Sequence, residues 1–536
     1  MRVVLAVSAL LLLSACPPTG LVCRAGTSIC NAGCIDPMAD QRNCGACGSA
    51  CGASQVCVQG VCTCGPGTDS CGGQCVVTAT DSRNCGASAD AGACGHACGS
   101  AQVCEAGACR ASCTAGVNVP CNGGCVDTAS DPANCGACGL ACSQGQSCRS
   151  GACRYDLVAA CYWTGQAVRF DGTSFVRGTL ADLGSNPAAL AVARATGNRG
   201  PVAVLAADGQ DRTLYQATVS ASGLEPASRA NRVGAGSNQV VVDGRRVYVV
   251  NSMSGTLQVL EQGEAGGVDV LSFDAGVTPV VSLRTVGELN LGTSTSPEGV
   301  AVAGGALWVP LWGGSGAEAA RGQAVAKVGL SDAGVPTLIA TIGLQGLDLQ
   351  AFDGGSLARP FAVVAHRGGV YVVLNNLTAV EGAYYPGGPG LLARLEPSDG
   401  GLRVVQLAGT RCLNPKWAAE VGDRLAVSCG GRATYDSSYA LTGLGSAGMV
   451  LLDGQDQLQD FWPAVQPTDG GAFFLPGRFA VGGSRLFLGD ESAGRVVVLD
   501  VSDAGLTEVR GVGTAVPVCP VGAYGFANVS DLVWLP

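Results

Sequence analysis

Twenty-four cysteines between residues 23 and 153 fall into three sets of eight, and this register constrains the chain more than any other feature. The first set is Cys23, Cys30, Cys34, Cys44, Cys47, Cys51, Cys57 and Cys62; the second is Cys64, Cys71, Cys75, Cys85, Cys94, Cys98, Cys104 and Cys109; the third is Cys113, Cys121, Cys125, Cys135, Cys138, Cys142, Cys148 and Cys153. Steps of 7, 4, 10, 3, 4, 6 and 5 in the first set recur in the third with 8 at the start, and in the second with 9 in place of 3. The added residues of the second set lie within Gly86 to Ala93, small and polar enough for a tolerated loop. A module of about 40 residues is near the size below which an apolar core rarely suffices without crosslinks or metal. Eight cysteines allow four bridges per module, but spacing leaves the pairing open. Cys44-Gly45-Ala46-Cys47 and Cys135-Gly136-Ala137-Cys138 also have the CxxC spacing of zinc ligands or a redox pair. The even count and the widened step from Cys85 to Cys94 favour disulfides instead, since a ligand pair fixed by chemistry would not survive that widening.

Other residues recur beside this framework. Cys34-Ile35-Asp36 with Asp40 and Asn43-Cys44-Gly45-Ala46-Cys47-Gly48 is echoed by Cys125-Val126-Asp127 with Asp131 and Asn134-Cys135-Gly136-Ala137-Cys138-Gly139, and by Asp81 with Asn84-Cys85-Gly86. Together they resemble the stigma-specific cysteine-rich family over roughly residues 23 to 153. The paired cysteines common in its plant members are single here. The resemblance implies secreted binding or spacer modules without a catalytic centre.

Ahead of the repeats, Met1-Arg2 is a short cationic start, Val3 to Leu13 an apolar core, and Leu13-Ser14-Ala15-Cys16 follows at once. This resembles the bacterial lipoprotein signal, which implies cleavage before Cys16 and acylation of Cys16 as the new N-terminus. Pro17 after the cysteine, rather than aspartate, implies the outer membrane or cell surface. The expected layout is a signal at 1–15, a lipidated tether at 16–22, cysteine-rich repeats at 23–62, 64–109 and 113–153, and one large domain at 155–536. No later apolar run approaches the roughly 20 residues of a membrane-spanning helix. A net charge of -10 with scattered cations argues against nucleic acid as a partner, and none is expected, because a polyanion rewards clustered Lys and Arg.

Beyond Cys161 period-two alternation replaces the cysteines. Gln239 to Asn251 reads strand, Asp243-Gly244 turn, strand, and equivalent hairpins start near Pro187, Pro297, Pro360, Pro415, Pro476 and Ala523. Four strands per 50 to 60 residues is the propeller pattern, so the fold class is all-β: small disulfide-stapled modules followed by a seven-bladed β-propeller. Val247-Tyr248-Val249-Val250-Asn251 and Val370-Tyr371-Val372-Val373-Leu374-Asn375 resemble YVTN and NHL-type propeller repeats. Gln166 to Phe170 and Ser174 to Gly178 are expected to complete the last blade with a C-terminal hairpin, Phe526 to Leu535. That arrangement places Cys161 and Cys519 on one face, where they are expected to bond, with Cys412 and Cys429 as a second pair.

One face has minimal turns. The other carries insertions at 311–323, 344–358, 376–389 and 430–446 that hold Trp312, Tyr384, Tyr385, Tyr435 and Tyr439, aromatics suited either to a protein or glycan partner or to pinning the loops themselves. At the channel mouth are expected Glu298, Asn375, Asp490, Lys416 and Arg478, of which Glu298, Asn375 and Asp490 could hold Ca²⁺ or Mg²⁺. Propeller lactonases resembling gluconolactonase use such a ring. His96 and His366 are expected at the surface, and no Ser-His-Asp set or phosphate loop is in view. The reading is a lipid-anchored binding or scaffolding protein without a cofactor; the alternative is a metal-dependent propeller hydrolase or lactonase.

Overall fold

The computed structural model describes residues 28–535 apart from short stretches, the longest being 36–42, 87–94, 195–201, 264–280, 315–322 and 464–472. The expected signal at 1–15, Cys16, Cys23, Cys94 and Tyr439 lie outside the described residues. The chain separates into two compact units, Met1–Val126 and Asp127–Pro536. No helix among the described residues is long and apolar enough to cross a membrane.

The first unit is built of short antiparallel ladders such as Gln55–Val58 with Val61–Cys64 and Asp69–Cys71 with Gln74–Val76. The pairing that spacing left open now has an answer. The fourth cysteine of a repeat bonds the seventh, in Cys44–Cys57, Cys85–Cys104 and, in the second unit, Cys135–Cys148. The sixth bonds the eighth, in Cys51–Cys62, Cys98–Cys109 and Cys142–Cys153. The first bonds the third, in Cys64–Cys75 and Cys113–Cys125. Cys47, Cys121 and Cys138 are disulfide-bonded as well. Stacking of these bridges brings the sulfurs of Cys44, Cys51 and Cys62, and of their counterparts in the other repeats, within 4.8 Å of one another. Each of those sulfurs is already in a disulfide, so none is a thiolate ligand for zinc.

Local chemistry explains the recurrent Asp and Asn-Cys-Gly elements. Gly45, Gly86 and Gly136 have φ of +77°, +85° and +80°, and a Cβ there would sit 2.5, 2.7 and 2.6 Å from the carbonyl oxygens of Gly60, Gly107 and Gly151. Only glycine permits both the backbone and the approach. Asn84 and Asn134 donate from Nδ2 to Asp81 and Asp131 at 2.9 and 2.8 Å, fixing the turns that lead into Gly86 and Gly136.

The second unit contains a seven-bladed β-propeller, each blade a four-stranded antiparallel sheet, the sixth joined by the short strand Val516–Pro517. Innermost strands are Pro187–Arg194, Ser237–Asp243, Ala301–Ala303, Pro360–His366, Pro415–Val421, Pro476–Gly482 and Val529–Trp534, here numbered as blades 1 to 7. Second strands such as Ala306–Leu311 and Gly369–Leu374 are buried throughout, because neighbouring blades cover both faces; this is why they read as unbroken apolar runs. Outer strands such as Leu283–Asn290 are half-buried or exposed beyond their first residue. Minimal hairpin turns use positive φ, as at Gly304 and Gly305 with +57° and +69°.

The ring closes with strands from both ends of the domain, but not as two plus two. Blade 7 takes Val529–Trp534 from the C-terminal side and Asp156–Cys161, Gln166–Asp171 and Val176–Asp182 from the N-terminal side. Leu157 pairs with Trp534 and Ala159 with Leu532, so the expected C-terminal hairpin is a single strand. Asp156–Cys161 is buried along its whole length and therefore lacks the alternation that marks a strand. The outer strand begins later than expected because Asp171 Oδ1 accepts from the Thr173 and Ser174 amides at 2.8 and 3.2 Å, holding those residues in the turn.

Cys161–Cys519 and Cys412–Cys429 form as expected. His366 does not lie at the surface: it is 1% exposed, with Nδ1 2.8 Å from Glu420 Oε1, since it ends an inner strand that faces blade 5. His96 is exposed.

Candidate functional site

Five of the innermost strands carry a register shift at their start, between Pro187 and Ala189, Ser237 and Gln239, Pro360 and Val363, Pro415 and Trp417, and Pro476 and Phe479. Such a bulge re-aims the side chains next to it. Asn238, Lys416 and Arg478 all lie at these shifts, at the end of the channel where Glu298 precedes blade 3.

Arg478 spans the ring. Its Nη2 donates to the Asn238 carbonyl of blade 2 at 2.6 Å, its Nη1 lies 3.3 Å from Asp531 Oδ2 of blade 7, and its guanidinium stacks 4.6 Å from the Trp417 ring centroid of blade 5. Asp531 also accepts the Leu190 amide at 2.8 Å, and burial raises its pKa against these donors. Asn238 Nδ2 donates to Glu298, whose other oxygen accepts from Ser296 Oγ at 2.8 Å. Desolvation raises the Glu298 pKa to about 7, outweighing the hydrogen bonds and the charge of Arg478. The mouth is therefore a polar cluster with one carboxyl that titrates near neutrality.

A raised carboxyl pKa has a definite sign in stability. Between about pH 4.5 and 7 the folded state holds a proton that the unfolded state has released, so stability falls as pH rises through this window and is level above it. Glu298→Gln is expected to flatten that segment of a melting-temperature profile against pH. A profile with the same slope in the variant would refute the assignment.

The three residues expected to ligate a cation do not form a donor set. Asp490 Oδ2 accepts from Arg495 Nε and Nη2 at 3.0 and 2.8 Å, and its Oδ1 from Ser492 at 2.6 and 2.8 Å. Asn375 Oδ1 accepts from Trp312 Nε1 at 3.1 Å while its Nδ2 donates to the Pro415 carbonyl at 2.6 Å. Glu298 is committed as described. Each oxygen is occupied by a protein donor, and among the described residues no three carboxylate or imidazole ligands cluster. A calcium or magnesium site of these residues does not fit the structure.

The aromatic insertions divide into two roles. Trp312 and Tyr384 meet edge to face at 5.0 Å, and Arg359 packs against both with its guanidinium 4.0 and 4.9 Å from the two ring centroids. Arg359 is fully buried and donates from Nη1 to the carbonyls of Trp312, Gly313 and Gly314 at 3.1, 3.1 and 2.9 Å. These two rings pin loops. Tyr385 and Tyr435, in contrast, are 40% and 54% exposed. They stand on ribbons that the insertions form, Leu377–Val380 with Ala383–Pro386 and Arg432–Tyr435 with Leu441–Gly445. Lys416 and Glu491, 3.3 Å apart, lie close enough to Tyr435 to act on its charge. Sequence reasoning missed Arg359; its one signal was a cation directly before the Pro360 that opens a blade.

Residues 105–156 match the stigma-specific STIG1-like protein family. No curated protein matches the chain. Among solved structures, a Bacteroides uniformis protein provisionally described as a 6-phosphogluconolactonase is similar at 12% identity over 68% of this chain and 98% of its own, with a TM-score of 0.41. Apo AztD from Citrobacter koseri is similar at 11% identity over 71% and 98%, with a TM-score of 0.40. A Lactobacillus plantarum protein is similar at 13% identity over 72% and 100%, with a TM-score of 0.41. Likenesses at this level bear on neither ligand nor reaction.

Proposed function

We propose that the chain is an exported binding protein: an acylated Cys16 anchors it to a membrane, the cystine modules link that anchor to the propeller, and the insertion face of the propeller holds a glycan or protein partner. The cystine content supports export, because such bridges persist in oxidising compartments. The observation that carries the binding reading is the pair of exposed tyrosines on hydrogen-bonded ribbons. Rigid aromatic rings with a polar tip bind at low entropic cost, and a ribbon holds them better than an open loop. The committed oxygens of Glu298, Asn375 and Asp490 weigh against the metal-dependent hydrolase reading.

The test is the full chain on an array of immobilised glycans, beside Tyr385→Ala/Tyr435→Ala. Retention is expected to weaken roughly tenfold or more in the variant, with the melting temperature unchanged because both rings are exposed. Retention by both proteins alike would sink the reading.

A further inference from the structure

The closing blade carries a second concave site that has no part in the mouth. A cleft of ≈ 350 Å³ is lined by Arg149, Arg154, Arg169 and Arg177 together with Asp171 and Ser174. Arg149 and Arg154 come from the last cystine hairpin, Ser147–Arg149 with Ala152–Arg154, and Arg169 and Arg177 from the two outer strands of blade 7.

The acids beside these cations are already spent. Asp156 is buried and accepts from Arg169 Nε at 2.7 and 3.0 Å through both oxygens, with Arg149 at 3.8 Å. Asp171 pairs with Arg154 and accepts from Ser174 Oγ at 2.7 Å and the Thr173 amide at 2.8 Å. Those hydrogen bonds hold its carboxyl below the usual range, against desolvation, so it stays charged. Arg177 is exposed, donates to the neutral Val518 carbonyl at 3.2 Å, and makes no ion pair among the described residues. Among the residues that line the cleft, four guanidiniums face one carboxylate, Asp171, with Asp156 buried behind Arg169, in a chain whose net charge is -10. Glu225, nearby on the Ser220 loop, is hydrogen-bonded to Ser220 Oγ at 2.7 Å and does not line the cleft.

We infer that this cleft binds a tetrahedral dianion of the phosphate class, as the free ion or a soluble monoester. Guanidinium forks match tetrahedral oxyanions in geometry as well as charge. The size of the cleft falls within the roughly 300–1,000 Å³ of small-molecule sites and leaves room for an ester substituent.

The experiment is calorimetric titration of the full chain at low salt with inorganic phosphate and, separately, methyl phosphate. Saturable binding of either probe, weakened by added sodium chloride, is expected, and binding of methyl phosphate identifies a monoester site. Arg149→Gln/Arg177→Gln is expected to weaken it roughly tenfold or more; it spares Arg154 and Arg169, which hold Asp171 and Asp156. Should the double variant fail to fold, the exposed Arg177→Gln alone carries the comparison. No saturable binding of either probe, or equal binding by a folded variant, overturns the inference.

Discussion

Serine at both Cys161 and Cys519 is expected to lower the melting temperature of the full, non-reduced chain by roughly 5–15 °C. This bond joins residues 358 apart and fixes the two ends of the ring to each other. Chain-entropy arguments give about 6 kcal/mol for so long a loop and about 3 kcal/mol for one the size of Cys412–Cys429, whose partners are 17 apart. Cys161 and Cys519 sit in the apolar cluster between blades 6 and 7, which also holds Ala159, Val518 and Val529, so each serine also introduces a buried hydroxyl among groups that offer it few partners. Scanning calorimetry of the two double variants gives the comparison. A larger loss from the Cys412 and Cys429 pair would show that ring closure is not where the stability lies.

Arg359→Met is expected to cost roughly 3–5 kcal/mol, a large effect for one side chain. The native guanidinium satisfies three backbone carbonyls and packs against two rings with no exposure. Methionine fills similar volume but donates nothing, so the three acceptors lose their partner and the Trp312 loop loses its brace. Denaturant unfolding measures the cost, and a red shift of tryptophan emission in the folded variant would report the freed Trp312. A variant within about 0.5 kcal/mol of the parent would mean that the carbonyls are satisfied by other means.

Periodic features are legible in the sequence. The cysteine register, the number of blades and the two propeller disulfides follow from patterns that repeat or from topology that repeats them. Single residues acting across blades are not. Arg478 reaches Asn238, 240 positions away, and Asp531, 53 away, and no local pattern announces such a strut. Asp490 resembles a ligand in sequence because it ends a second strand, yet Arg495 five residues on claims it. Asp156–Cys161 is invisible as a strand because burial on both faces erases alternation. His366 stands next to a tight turn, which suggests exposure, whereas the last residue of an inner strand faces the adjoining blade.

Blade 7 also sets an order of events. Its three N-terminal strands are synthesised long before Val529–Trp534, so Asp156–Cys161 waits with an unpaired edge while six blades are made. The nascent protein is thus a sticky, unfinished circle for most of its synthesis. Any chain cut short of Val529 keeps that edge unpaired, so the truncation that costs this domain only its last strand still leaves a largely apolar strand open to aggregation.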